Sequence, residues 1–318
     1  MSTYHPKNAL IFGGAGFVGR HLAYELAKQD WNVSVVTRRP HRHRDLIVMP
    51  TIKLIEVKQL NPETIRSLLS ENDTVFNLIG ILHESKRHGF DAIHTQLPGN
   101  IADIGMERGI RRLIHISALG ADINAPSKYL QSKAHGERVL VNRKNLGLQF
   151  DIIRPSIVFG PDDSFTRLFA RLLKIAKFIF FVISPDAKMQ PVFVGDLVKC
   201  IVHAANQQHS SCKSFDVAGP DVFTFYELIR SIDELSGGHH RLIRLNDSLT
   251  RMIANFAQFA PGKLLTPDNV LSLQVPNVID TEQPAPYGAQ TRRFEDTAAS
   301  WLKPQTRRFD AYRTQAGR

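Results

Sequence analysis

Residues Asn8–Gly19 read NALIFGGAGFVG. Ala9-Leu10-Ile11-Phe12 is a short apolar run ending in glycine, the pattern of a buried strand. Gly13, Gly14, Gly16 and Gly19 follow at once, and His21–Lys28 then has helical spacing. Strand, glycine turn and helix, in that order, give the glycines a mechanism. Gly13 permits the tight turn, Gly16 lets a phosphate approach the backbone, and Gly19 lets the helix pack closely on the strand. The free N–H groups at the helix start then face a pyrophosphate. The cofactor-binding set expected here is Gly13, Gly14, Gly16, Phe17, Val18 and Gly19. The alternative is a sharp βα turn without a ligand.

The chain has 318 residues, more than one core usually organises, so a large α/β unit with a smaller lobe is the default. The expected division is a nucleotide-binding domain over 1–160, with segments around 190–220 returning to it, and a smaller lobe with a basic tail over 161–318. Net charge is +10, from 40 basic and 30 acidic residues, which favours anionic partners such as phosphorylated cofactors or acidic lipid. No aromatic-rich RNA-binding motif or zinc-finger spacing accompanies the charge, so nucleic acid is not an expected partner. Only Cys200 and Cys212 occur, which points to a reducing compartment rather than a disulfide framework. The first strand follows Met1 too closely for a signal peptide, and there is no apolar run of about 18 residues to span a membrane. The expected location is the cytoplasm, peripheral on the inner face of a membrane if the basic surface discussed below binds lipid.

Asn32–Thr37 reads as a β-branched strand. NAD-binding sites commonly place an acid about twenty residues past the glycines, on the ribose 2′-hydroxyl. Arg38 and Arg39 stand there instead. A guanidinium binds a 2′-phosphate in a bidentate way, so NADP(H) is favoured over NAD(H). The alternative is a solvated basic loop, since His41, Arg42, His43 and Arg44 continue the run. The His41/His43 pair has no further ligand cluster nearby, and no metal is expected. Ile52–Val57 is a third strand, and Asn61-Pro62 opens a helix with a capping residue and proline at its first position. Asp73–Ile79 is a fourth strand, and the adjoining Gly80 is an expected wall for the nicotinamide half. Phe90–Arg108 reads as one long helix kinked at Pro98. Arg112–Ile116 is a fifth strand, ending in Ser117. Alternating strands and helices predict a Rossmann-type, doubly wound parallel sheet, with ligands at the carboxyl ends of the strands. Gly13, Arg38, Gly80 and Ser117 therefore line one rim.

In Tyr129–Glu137, YLQSKAHGE, Tyr129 and Lys133 are four apart and share a helical face. An ammonium near a phenol lowers its pKa, and the tyrosine can then exchange a proton with a substrate oxygen while a nicotinamide exchanges hydride. Tyr129, Lys133 and Ser117 are the candidate catalytic residues; the alternative is an exposed helical pair.

GGAGFVG, YLQSKAHGE and RPSIVFGPDD (Arg154–Asp163), in this order, resemble an extended or atypical short-chain dehydrogenase/reductase. The resemblance implies that Lys133, Pro155 and Ser156 contact the nicotinamide half of the cofactor, and it extends to Val194-Gly195-Asp196. NLIG at Asn77–Gly80, FDAIHTQLPGNIA at Phe90–Ala102, RLIHIS, SKYLQSKAHGE and LLTPDNVLSLQVPNVI at Leu264–Ile279 are similar to the nucleotide-binding accessory subunit of respiratory complex I and its bacterial relatives. That subgroup implies a lipophilic, quinone-linked setting, such as ubiquinone biosynthesis or respiratory-complex support. Ala118 and Leu119 occupy the places where the wider family keeps a serine or threonine, and Lys58 replaces its adenine-binding acid. A non-catalytic nucleotide-binding subunit or redox sensor is therefore one alternative. A sugar-nucleotide epimerase or dehydratase is another, and the missing hydroxyl and the lipophilic stretch after residue 177 argue against it.

Phe165–Ile183 joins apolar residues to Arg167, Arg171, Lys174 and Lys177 at three- and four-residue spacing. It reads either as a helix and strand over the substrate pocket or as a basic amphipathic surface on anionic lipid. Asp196 is the expected cap of a helix over Phe193–Ala205, and Thr224 with Glu227 forms a capping box for Thr224–Leu235. Pro276–Pro286 reads as a loop, Arg292–Trp301 as a last helix, and the tail to Arg318 as loosely ordered.

Overall fold

The computed structural model describes residues 7–71, 73–84, 89–208, 212–257, 266–279 and 291–303. The first half alternates as the apolar runs dictate: β1 (Asn8–Phe12), α1 (Phe17–Lys28), β2 (Asn32–Thr37), β3 (Ile52–Glu56), α2 (Pro62–Leu68) and β4 (Thr74–Asn77). It continues with α3 (Leu97–Arg108), β5 (Arg112–Ile116), α4 (Lys128–Val141) and β6 (Phe150–Pro155). The second half carries β7 (Val158–Phe159), α5 (Ser164–Ile175), β8 (Ile179–Val182), β9 (Lys188–Met189), β10 (Val192–Phe193), α6 (Val194–Asn206) and β11 (Ser214–Val217). It ends with β12 (Phe223–Thr224), α7 (Phe225–Leu235), β13 (Arg241–Arg244), α8 (Asp247–Ala257), α9 (Pro267–Leu273) and α10 (Phe294–Leu302).

The central sheet has seven strands in the order β11-β6-β5-β4-β1-β2-β3, every pairing parallel. This is the expected doubly wound α/β architecture. β1 shows why its residues are apolar on both sides. Ala9 and Ile11 face a core with α1 and α6, while Leu10 and Phe12 face a core with α2 and α3. Because the strand order reverses between β4 and β1, the Gly13 turn lies at the switch point, where a crevice opens at the carboxyl edge. The lobe has its own core around Phe159, Val182, Phe225, Ile229 and Phe294. It is fastened by short pairings, β7 with β10 (parallel), β9 with β12 (antiparallel) and β8 with β13 (parallel).

Several local expectations hold. Asn61 caps α2 through its side chain, with proline at the first positions, and Thr224 and Glu227 form a reciprocal capping box. Others are corrected. α1 starts at Phe17, one residue after Gly16, rather than at His21. Phe90–Arg108 is not one kinked α-helix: Asp91–Gln96 is a π-helical turn that leads into α3. Pro98 has no N–H to offer the carbonyl of His94, so the four-residue ladder is interrupted there. Asp196 does not cap α6; Phe193 holds that position. The Asp196 carboxylate lies buried in the first turn and accepts the backbone N–H of Arg292 at 2.8 Å, tying the approach to α10 of the lobe to α6 of the central layer. Lys177 lies beyond the end of α5 at Ile175, so it does not belong to a helical stripe with Arg167, Arg171 and Lys174. Residues 280–286 of the expected proline loop and the tail from 304 lie outside the described residues.

Candidate active site

The first part of the site is the turn after β1. Gly13 adopts φ +80°, a left-handed conformation that favours glycine, and its carbonyl accepts the Gly16 N–H at 3.0 Å. A Cβ on Gly19 would lie 2.4 Å from the Gly13 carbonyl oxygen and 2.5 Å from the Gly14 Cα. Gly19 thus lets α1 close on the turn itself rather than on the strand. Gly14 packs on the Val35 side chain, and Gly16 is the N-cap of α1 with no side-chain cap on the helix N–H groups. Phe17 and Val18 form the first helical positions. This cradle of backbone donors at a positive helix end fits an anionic dinucleotide phosphate.

Arg38 and Arg39 extend this rim at the end of β2, both exposed, with the Arg39 N–H donating to Thr37 Oγ1 at 3.3 Å. Gly80, beyond β4, passes over the next part. A Cβ there would sit 3.5 Å from Lys133 Nζ and 3.6 Å from His94 Nε2. Lys133 is 5% exposed and donates to the carbonyl oxygen of Ile116, the last residue of β5, at 2.9 Å. Ser117 follows directly; its Oγ is buried and has no hydrogen-bond partner among the described residues. A buried hydroxyl in that state fits a site that a ligand completes.

Tyr129 stands one turn before Lys133 on α4, with its ring 6.1 Å from Phe90 and 5.8 Å, edge-on, from His94. Burial pushes its phenol up to about 12 and pulls the Lys133 ammonium down to about 8, with Glu137 partly opposing the latter. The expected lowering of the phenol is therefore corrected. The ammonium is engaged by the Ile116 carbonyl, and desolvation dominates at the tyrosine, so the phenol is held protonated through neutral pH. In this state the phenol has a proton to give and cannot take one up.

The motifs explain one another. Arg154 forms a bidentate pair with Glu137, through Nε to Oε1 at 2.8 Å and through its second nitrogen to Oε2. A Cβ on Gly136 would lie 2.0 Å from the His94 carbonyl, the one released by Pro98, so glycine lets α4 pass against the π turn. Pro155 accepts the Leu119 N–H at 2.9 Å through its carbonyl. Ser156 is buried, and its Oγ donates to Asn277 Oδ1 at 2.5 Å.

Three residues of the site were not anticipated. His94 accepts the Ile81 N–H at Nε2 (3.0 Å), while Nδ1 lies 2.8 Å from Ser132 Oγ. With both nitrogens engaged and burial pulling it down to about 3, it is neutral. Its signals in the sequence were its place four residues before Pro98 and within the Phe90–Ala102 stretch that carries the resemblance. Asp268 accepts the N–H groups of Lys128 and Tyr129, and Asn277 accepts the Ile157 N–H at 3.1 Å and donates to the Leu119 carbonyl at 3.2 Å. Both lie in the Leu264–Ile279 stretch, which the sequence marked only by resemblance. Among the described residues there is no His/Cys/Asp/Glu group that could hold a metal, and no helix is long and apolar enough to cross a membrane.

Residues 9–218, which contain the turn, the rim and the Tyr129 helix, match the model of the NAD dependent epimerase/dehydratase family. The chain belongs to this family. Its relatives include the protein named NADH dehydrogenase (ubiquinone) 1 alpha subcomplex subunit 9, mitochondrial, of Arabidopsis thaliana, 28% identical over 281 residues. That match covers 86% of this chain and 68% of the relative, so the chain spans about two thirds of its length. The ceramide reductase of Caulobacter vibrioides is 25% identical over 250 residues, covering 78% of this chain and 76% of that one. Among solved structures, the Bordetella bronchiseptica enzyme WbmF in complex with NAD+ superposes with a TM-score of 0.67 at 18% identity, covering 94% and 93% of the two chains. The last likeness is one of fold. As an epimerase/dehydratase-family protein, the chain has the expected short-chain dehydrogenase/reductase-like character and a nicotinamide dinucleotide as its cofactor class.

Proposed function

We propose that this family member is an NADP(H)-binding oxidoreductase acting on a lipophilic carbonyl or quinone-linked substrate, peripheral to a membrane and in contact with a respiratory complex. The observation that carries the enzymatic part is the placement of Tyr129 one turn before the buried Lys133 on α4, whose ammonium donates to the Ile116 carbonyl next to a Ser117 hydroxyl that has no partner among the described residues. The dinucleotide supplies hydride when bound. Gly13–Gly19 would hold its pyrophosphate, Arg38 and Arg39 its 2′-phosphate, and Lys133 its nicotinamide ribose, with Gly80, Pro155 and Ser156 walling the nicotinamide. Ser117 orients the substrate oxygen, and Tyr129 delivers a proton to it. The relatives named as an NADH dehydrogenase (ubiquinone) subunit and a ceramide reductase support the quinone-linked and lipid-facing parts.

A second reading is a nucleotide-binding subunit without turnover. Ala118 and Leu119 are buried apolar residues beside Ser117, and Phe90 and His94 crowd the Tyr129 ring, which favours a nucleotide kept for structure. Titration of NADPH and NADH into the full chain, followed by NADPH oxidation against a panel of quinones and long-chain carbonyls, separates the two. Turnover that Tyr129→Phe abolishes while nucleotide affinity persists supports the enzyme. Tight binding with no turnover on any panel member, and no cellular effect of Tyr129→Phe, leaves the structural role.

A further inference from the structure

The β8–β13 sheet of the lobe has two unlike faces. Its register pairs Arg241 with Ile179, Leu242 with Phe180, Ile243 with Phe181 and Arg244 with Val182. Alternation sends Phe180, Val182 and Leu242 to the lobe core, where they pack. Ile179, Phe181, Ile243 and Arg241 are left on the outer face. β8 and β13 pair in parallel, an arrangement ordinarily covered on both faces, so an uncovered outer face here stands out. Here Phe181 is 55% exposed, and at the junction with α5 Phe178 is 79% and Ile175 70% exposed. Arg171, Lys174, Lys177 and Arg241 are also exposed around these side chains. None of the four cations has a carboxylate within 4.0 Å among the described residues.

We propose that this outer face, together with the end of α5, docks on an anionic lipid bilayer. The inference rests on the membrane-peripheral part of the proposed function and gives it a surface. Aromatic and aliphatic side chains enter the boundary between headgroups and acyl chains, while lysine and arginine hold their charges at the headgroups. Cations without an acidic neighbour lose little by this and gain the negative surface potential of the leaflet. A bilayer takes scattered cations and apolar tips together without fixed register. An acidic protein partner would have to match each in place.

The test is flotation of the full chain with vesicles of phosphatidylcholine alone or with phosphatidylglycerol added. The wild type binds the anionic vesicles and not the neutral ones. Each cation near the surface contributes roughly a fivefold gain, so Lys174→Glu/Lys177→Glu weakens binding by about tenfold or more. Lys28→Glu/Lys144→Glu, an equal charge change elsewhere on the exposed surface, has a much smaller effect. Phe178→Ser/Phe181→Ser keeps every charge and still weakens binding severalfold. NADPH affinity and thermal midpoint, unchanged in all three, show that the fold is intact. If the two charge-reversed proteins weaken equally, or the phenylalanine variant binds as the wild type does, this surface is wrong while membrane binding stands. A wild type that ignores anionic vesicles overturns both, and leaves the face to an acidic protein partner.

Discussion

The carboxylate of Asp268 accepts the backbone N–H of Tyr129 at 3.1 Å, across 139 residues of chain. Its other oxygen takes the Lys128 N–H at 2.7 Å, while Ser127 Oγ takes that of Leu130 at 3.2 Å. The first turn of α4 is thus capped from within its own sequence and from the far end of the chain. A negative charge at a helix N-terminus, with two donors to satisfy, is a favourable arrangement. Asp268→Ala is expected to lower the unfolding free energy by about 1–2 kcal/mol in a urea titration, and Asp268→Asn by less. The same variant should weaken NADPH oxidation more than NADPH binding, because it loosens the tyrosine and not the glycine turn.

Gly19→Ala tests the turn. The added methyl meets backbone, which cannot swing aside, so α1 must move off the Gly13 carbonyl. NADPH affinity, followed by fluorescence, is expected to fall by about tenfold or more. At Gly16 a Cβ would meet only the Gly13 carbonyl, at 3.2 Å. Gly16→Ala should therefore keep the fold and lose affinity through the phosphate alone, with an unchanged melting curve as the check.

Arg38→Ala/Arg39→Ala tests the choice of cofactor. Both side chains are exposed, so removal should not disturb the core. Loss of charge-assisted contacts to a 2′-phosphate would reduce the NADPH-to-NADH affinity ratio by about tenfold. An unchanged ratio would remove the preference for NADP(H).

Lys133 ties function to stability with a definite sign. Its folded value near 8 lies below the ordinary 10.5, so above pH 8 the folded protein releases a proton that the unfolded chain still holds. Stability should therefore rise between about pH 8 and pH 10, at up to about 1.4 kcal/mol per pH unit. Beyond pH 10 the raised Tyr129 reverses the trend, because the unfolded phenol ionises first. Lys133→Met should abolish the rise and weaken nucleotide binding together, read by denaturant midpoints across pH and by NADPH titration.

His94 sets the acid limit. A neutral histidine held near 3 must charge when the chain unfolds, so stability is lost as pH falls from about 6.5. His115, also pushed down by burial, adds to this. His94→Gln should reduce the slope between pH 6 and 4 by about 1.4 kcal/mol per pH unit. A slope equal to that of the wild type would mean that His94 is not buried as a neutral group.

The glycine turn, the strands around it and the doubly wound sheet were determined by the sequence itself. Their signals are local: apolar runs buried on both sides, glycines at required spacings, and caps such as Asn61 and Thr224 acting within one turn. The shared face of Tyr129 and Lys133 follows from helical geometry for the same reason. Only the tertiary structure decided what surrounds that pair. Asp268 reaches Tyr129, and Asn277 reaches Leu119 and Ser156, from more than a hundred residues away, and the π turn before Pro98 is fitted against Gly136 on another helix. Charge state belonged to the same level. Spacing placed an ammonium one turn from a phenol, but exclusion of water holds the phenol protonated and leaves the ammonium on the Ile116 carbonyl. Spacing along the chain sets the elements, whereas desolvation and long-range hydrogen bonds arise only when distant segments close on one another.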